Sequence, residues 1–347
     1  MRTERDFFGF ERLHYHPPSG VWGGSIQQVL KASGISIPSP DIAAIKGYLS
    51  GERLVGHTVL SEVRAVPPGY QLVQTASGLQ VHPVPLQPKP GVLATLLHQS
   101  LQSALDSGKA VALALSGGLD SALLLALLRD MNALSQVRVY VLVTDLPNYC
   151  ERDAALELAH SMQVPVQLVH ASEHDFVAAL PRAIAAVEEP LFNLHPVAKL
   201  LLAQAMARDG IELAITGDGA DQVLRRDQSA NYLPLCNALF AAASVSLHPP
   251  FLDAGVVAHL TALPPDPHKQ CLRHLGASLG LPERLVVGAK HSRLAPAMNL
   301  GLLPESADTA ALAQYLGLPI ATSPGDAQRV LWTTLALTLK QFGLVIA

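Results

Sequence analysis

Cysteine is scarce in this chain: Cys150, Cys236 and Cys271 are the three among 347 residues. Their odd number and wide separation argue against a disulfide scaffold or a cysteine-ligated zinc site, and predict a reducing, cytoplasmic setting. Long apolar runs are missing as well. Crossing a bilayer takes about 20 apolar residues, and a run such as Ala122–Leu128 reads instead as a buried helix. No apolar stretch follows Met1-Arg2-Thr3-Glu4-Arg5-Asp6, so no signal peptide is expected. There is no basic excess: a net charge of -4 leaves no electrostatic footprint for nucleic acid. What is present is apolar material, 49% of residues against 15% charged, which excludes disorder and allows a large core. At roughly 100–200 residues per domain the length suits two domains.

The clearest seam is Val84-Pro85-Leu86-Gln87-Pro88-Lys89-Pro90-Gly91, where three prolines and a glycine in eight residues exclude helix or central strand. It divides residues 1–90 from 91–347. Before it, Tyr15–Gly24 reads as turn, Ser25–Ala32 and Ile42–Leu49 as short helices, and Thr58–Val66 and Tyr70–Val84 as strands. After it, strand and helix alternate. The strands are Ala110–Leu115, Val137–Val143, Val164–Val169 and Glu212–Ile215. The helices are Leu93–Leu105, Ala122–Arg129, Arg152–Met162, Phe176–Val187 and Val197–Arg208. Beyond about residue 228 the pattern predicts helix. Unbroken apolar strands alternating with helices predict an α/β fold with a doubly wound parallel sheet. Ligands then bind at the carboxyl ends of the strands.

Two loops at such ends carry chemistry. Ser116-Gly117-Gly118-Leu119-Asp120-Ser121 follows the first strand and opens a helix. Its glycines allow a tight turn, and its successive N–H groups with a helix N-terminus behind them suit phosphate. Ser116 and Ser121 can add hydroxyl donors, while Asp120 calls for a cation. Thr216-Gly217-Asp218-Gly219-Ala220-Asp221-Gln222 follows the fourth strand. Two carboxylates after two strands can share one Mg²⁺, which is usually held by one or two carboxylates plus substrate phosphates.

The first loop resembles the PP-loop of the ATP pyrophosphatase superfamily, and the second is similar to the SGEGxDE segment of the asparagine synthetase family. A third segment, Leu281-Pro282-Glu283-Arg284 through Ala289-Lys290-His291, resembles that family's LPE…K stretch. The resemblance implies a PP-loop fold that uses ATP and Mg²⁺. It implies Asp120 and Asp221 as metal ligands, and Ser116, Gly117, Gly118, Asp120, Ser121, Val143, Thr216 and Gly217 around the nucleotide. It further implies Lys290 as the lysine that stabilises the adenylation transition state, Asp218 beside the reacting centre and against the substrate, and Glu189 of Glu188-Glu189-Pro190 lining the substrate pocket. His195 reads as a helix cap, the alternative being a residue that faces the same cleft. The chain departs from the pattern at Gln222 and Val223-Leu224-Arg225-Arg226, where the family has an acidic residue and two glycines. Arg225 or Arg226 could there hold an anion.

Gly9–Val84, with Tyr15, Tyr48-Leu49 and Val66-Pro67-Pro68-Gly69 in matching order, resembles the closing part of an N-terminal-nucleophile glutaminase. The family's nucleophilic cysteine follows the initiator methionine, and here that position is Arg2. The expectation is a small α+β remnant without glutaminase activity. Its exposed strands would be covered by another subunit, as in a homodimer. The reaction implied is adenylation of a carboxylate and its transfer to an amine, with aspartate and free ammonia giving asparagine as the simplest pair. Rival readings are an intramolecular amide-forming cyclase of the beta-lactam or lasso-peptide type and an inactive ATP-binding relic. Membranes and nucleic acid are not expected partners.

Overall fold

The computed structural model describes residues 2–52, 55–146, 152–227, 232–288, 303, 307–319 and 326–344. Two compact units are present. The first comprises Met1–Pro85, Val177–Val197 and Met298–Ala347, and the second Leu86–Phe176 and Ala198–Ala297.

The second unit is built on a five-stranded parallel sheet. Its strands are β1 Val111–Ala114, β2 Val137–Val143, β3 Val166–His170, β4 Leu213–Ile215 and β5 Ser246–His248. Their order across the sheet is β5-β4-β1-β2-β3, every pair parallel. The α/β doubly wound class expected from the strand–helix alternation is what forms. β5 lies in a stretch whose pattern predicts helix. It is three residues long, and it exists because the Ser246 N–H reaches the Glu212 carbonyl and aligns the segment on β4. The connections run outward from β1 to β3 and then cross back to β4. Right-handed crossovers therefore lay helices on opposite faces and open a crevice between β1 and β4, at the carboxyl ends. The helix after β1, Leu119–Asp130, is buried along Ser121–Leu128, as its unbroken apolar run requires.

The first unit combines two small antiparallel sheets with helices. Arg2–Glu4 pairs with Tyr70–Thr75, which pairs with Gly78–Pro83; His14–His16 pairs with Val21–Gly23 and Arg64–Ala65. The stretch read as turn is thus a hairpin, with its turn at Pro17–Gly20. Of the strand expected at Thr58–Val66, Arg64–Ala65 alone joins a sheet. The Thr58 hydroxyl accepts from the Leu60 N–H and donates to the Val63 carbonyl, bending the segment back on itself. Helices Ile26–Ala32 and Ile42–Leu49 share a core with Ala307–Leu316 and Asp326–Gln341, where Ile26, Ile45 and Tyr48 meet Leu312, Trp332 and Leu335. Among the described residues no helix is long and apolar enough to cross a membrane.

Candidate active site

The loop after β1 is shaped by its own hydroxyls. The Ser121 hydroxyl accepts from the Ser116 N–H at 3.0 Å, lies 3.1 Å from Ser116 Oγ, and is 3.3 Å from the Gly118 carbonyl that it can donate to. Gly117 takes φ +72°, which a side chain would strain. The helix beginning at Leu119 has Gly118 at its N-cap and no side-chain cap, so its first N–H groups remain available to an anion.

The loop after β4 lies directly against this one. A Cβ on Gly217 would come within 2.9 Å of both Asp120 Cβ and the Ser121 nitrogen, so glycine is what allows the two backbones to touch. Thr216 is buried, and its hydroxyl has no hydrogen-bond partner among the described residues. Gly219 takes φ +93° and starts the short helix Ala220–Arg225.

Two lysines that sequence reasoning passed over sit on these acidic residues. Lys269 Nζ is 2.9 and 2.7 Å from the two Asp120 carboxylate oxygens and 3.1 Å from Asp221 Oδ2. One ammonium therefore bridges the two carboxylates assigned to a metal. Lys269 itself is held at φ +56°, a left-handed conformation that costs a non-glycine residue about 1–2 kcal/mol. Lys199, on helix His195–Arg208, places Nζ 3.0 and 2.8 Å from the oxygens of Asp218 and 5.9 Å from the centre of the Tyr232 ring. Burial works against the Lys199 charge, but the Asp218 carboxylate outweighs it and the ammonium is held above its ordinary range. The neighbouring Cys236 thiol is pushed up, by burial first and by the Asp218 charge second. Lys199 left a trace in the sequence, being the sole charged residue between Pro196 and Ala207; a lone charge on an apolar helix needs a partner. Lys269, in Pro267-His268-Lys269-Gln270, left none.

The other expected site residues fall as follows. Val143 ends β2, buried, with its carbonyl accepting from the Ala171 N–H. Arg225 is exposed and lies 3.4 Å from Asp221. Arg226 directs its guanidinium to the carbonyls of Val223, Leu260 and Leu263, tying down the end of helix Ala254–Ala262. Lys290 and His291 lie outside the described residues. Glu189 and His195 belong to the first unit. Glu189 Oε1 is 3.9 Å from Nε2 of the buried His14, and Arg12 and Arg5 add positive charge. Burial alone would raise the Glu189 pKa, yet these partners hold it below its ordinary value. The His195 N–H is capped by the Asn193 side chain.

The convergence of Asp120 and Asp221 on one cation suits Mg²⁺, which needs few protein carboxylates when phosphates supply the rest. Among the described residues no group of three or more His, Cys, Asp or Glu side chains able to hold a metal occurs.

Residues 92–235 match the family model described as asparagine synthase. That stretch is 144 of the 347 residues, less than half of the chain. The match supports an ATP-dependent, amide-forming carbon–nitrogen ligase of the PP-loop type. No curated protein matches the chain. Among solved structures, the NMN synthetase of Francisella tularensis is similar at TM-score 0.36 and 13% identity, over 74% of this chain and 94% of that one. The NH3-dependent NAD synthetase of Campylobacter jejuni subsp. jejuni NCTC 11168, in complex with the nitrate ion, is similar at TM-score 0.37 and 16% identity, over 71% and 93%.

Proposed function

We propose that this protein adenylates a carboxylate with ATP, releasing pyrophosphate, and then passes the acyl group to an amine, releasing AMP. Aspartate and free ammonia, giving asparagine, are the substrates in this reading. The observation that carries it is the contact of the two loops at the crevice between β1 and β4, Gly217 packed on Asp120 and Ser121, with both acidic residues drawn to one cation.

The chain's own groups divide the work. Gly117 and the helix start at Leu119 offer N–H groups to the phosphates. Asp120 and Asp221 would hold Mg²⁺, which supplies charge neutralisation for the departing pyrophosphate when bound. Lys269 then exchanges its carboxylate partners for phosphate oxygens, placing positive charge where negative charge develops. Lys290 has the same duty by its resemblance to the family's lysine. The carboxylate oxygen attacks the α-phosphorus as the bond to the bridging oxygen breaks. The amine then attacks the acyl carbon as AMP leaves. Holding the reactants together supplies much of the rate in both steps.

The test is magnesium-dependent ATP–pyrophosphate exchange with aspartate, followed by ammonium-dependent formation of asparagine and AMP. Exchange that survives Lys290→Ala unchanged, or its absence with every small acid tried, would overturn this reading. Glutamine in place of ammonium should give no product.

A further inference from the structure

Lys269 is held in place by more than its ion pairs. Its N–H donates to the Asp266 carbonyl at 3.0 Å, the Asp266 N–H donates to the Leu224 carbonyl at 2.8 Å, and the Lys269 carbonyl accepts from the Arg273 N–H at 2.9 Å. The turn 266–269 is thereby fastened to helix Ala220–Arg225, which carries Asp221, and leads into helix Gln270–Ser278. Within that frame Lys269 adopts φ +56°. Backbone strain of this kind persists where the surroundings impose it, and it gathers at functional sites. Here the strained residue sets its Nζ 2.9 and 2.7 Å from the Asp120 oxygens and 3.1 Å from Asp221 Oδ2, with the lysine side chain 15% exposed. Arg225, in the segment where this chain departs from the family pattern, approaches the other Asp221 oxygen at 3.4 Å. Across these four side chains the two positive charges cancel the two negative ones. A cancelled set has little net attraction for a dication, and Mg²⁺ gives up its own water reluctantly. To reach both carboxylates a metal must first displace an ammonium held by three oxygens. A triphosphate reverses the balance, because its several negative charges and strong acceptors draw Lys269 and Arg225 away from the carboxylates.

We propose that Lys269 is a built-in counter-ion that closes the Asp120–Asp221 pair to metal until a nucleoside triphosphate arrives, so that nucleotide binds before the metal or together with it. This rests on the metal assignment in the ligase reading above and deepens it. One ammonium guards the carboxylates in the free protein and serves the phosphates in the complex. Departure of pyrophosphate returns it to the carboxylates and loosens the metal for release. Arg225 has the lesser part, since its exposed pair with Asp221 is screened by water. Linkage makes the device measurable: an element that must move for both ligands couples their affinities, and the coupling is reciprocal.

The experiment titrates Mn²⁺, a paramagnetic stand-in for Mg²⁺, into the full chain and reads the loss of the free-ion electron paramagnetic resonance signal. It is run without nucleotide, and with an ATP analogue whose α and β phosphorus atoms are bridged by methylene, the analogue alone serving as baseline. Without nucleotide the wild type should bind Mn²⁺ weakly, and Lys269→Met should bind it about 10–100-fold more tightly. Arg225→Gly should give a smaller gain. Adding Asp120→Asn to Lys269→Met should remove the gain and so locate it at this pair. In EDTA the analogue should bind the wild type more tightly than it binds Lys269→Met. A gain of metal affinity needs a folded chain, so damage to the fold does not imitate it. Should Lys269→Met fail to fold, Lys269→Gln removes the charge while keeping a polar side chain and should show the same gain. A wild type that takes up Mn²⁺ without nucleotide as tightly as these variants do, or no gain in either of them, overturns the proposal. Mn²⁺ held by no form even with the analogue overturns it together with the metal assignment. Absence of exchange with every acid overturns the ligase reading instead, and the same titrations still decide what Lys269 does.

Discussion

In the first unit, Arg5, Arg12, His14, Glu188 and Glu189 turn inward. Arg5 donates to the carbonyls of Glu11, Val66 and Gly9, Arg12 to those of Val187 and Ala186, and Glu188 accepts from the N–H groups of Ile26 and Gln27. In the second unit, Asp120, Asp218, Asp221, Lys199 and Lys269 gather on strand ends and a neighbouring helix and bond to one another. In the first set Arg5, Arg12 and Glu188 satisfy backbone groups while His14 and Glu189 face each other, and together they fix chain segments far apart in sequence. The second set leaves backbone N–H groups open and holds charge at a crevice. In the proposed function the same residue types therefore serve stability in one unit and ligand chemistry in the other, and what distinguishes them is whether backbone groups are tied down or charge is gathered at strand ends.

That contrast predicts which measurement each substitution moves. The largest effect belongs to Lys269→Ala, expected to lower the exchange rate by about 10²–10³ while leaving the melting temperature nearly unchanged; a loss of stability with activity intact would erase the distinction between the units. Gly217→Ala comes next. Its methyl group drives Asp120 and Ser121 away from the second loop, and a displacement near 1 Å costs about 10²-fold in rate. Weaker apparent magnesium affinity should accompany it in a titration of exchange activity.

Arg5→Met tests the other side. Removing a buried cation that serves three carbonyls and neighbours Glu189 should cost about 3 kcal/mol, read from urea unfolding. Glu189 adds a pH signature. Burial raises its pKa but His14, Arg12 and Arg5 outweigh that, so its folded value lies below the ordinary 4.5. The unfolded chain takes up this proton first as pH falls. The stabilisation is complete above about pH 4.5 and is lost as pH drops through the folded value. Glu189→Gln should flatten that part of the stability–pH curve. The smallest effect is Ser25→Ala, which removes the side-chain cap on Gln28 N–H and should cost about 1 kcal/mol in the same unfolding measurement.

Much of this was legible without coordinates. Ile42–Leu49, Leu93–Leu105 and Val137–Val143 form over the spans their patterns predict, because each carries its period within itself. The loops after β1 and β4 announce themselves by glycines and acidic residues between an apolar strand and a helix. β5 was not legible, since three residues show no period and their strand state comes from the edge of β4. Nor was the core that Ala307–Leu316 and Asp326–Gln341 share with Ile26–Ala32 and Ile42–Leu49, because separation in sequence hides which apolar faces meet.

What the sequence by itself determined is the class of architecture and the two loops, through local periodicity and through backbone freedom at named glycines. Tertiary structure alone decided the partners. It set Lys269 between Asp120 and Asp221, Lys199 on Asp218, and Glu189 among His14, Arg5 and Arg12. The physical reason is that an ionisable side chain states its charge in the sequence, whereas its duty depends on the charge packed against it and on the water excluded there, and both are set by chain segments brought together in folding.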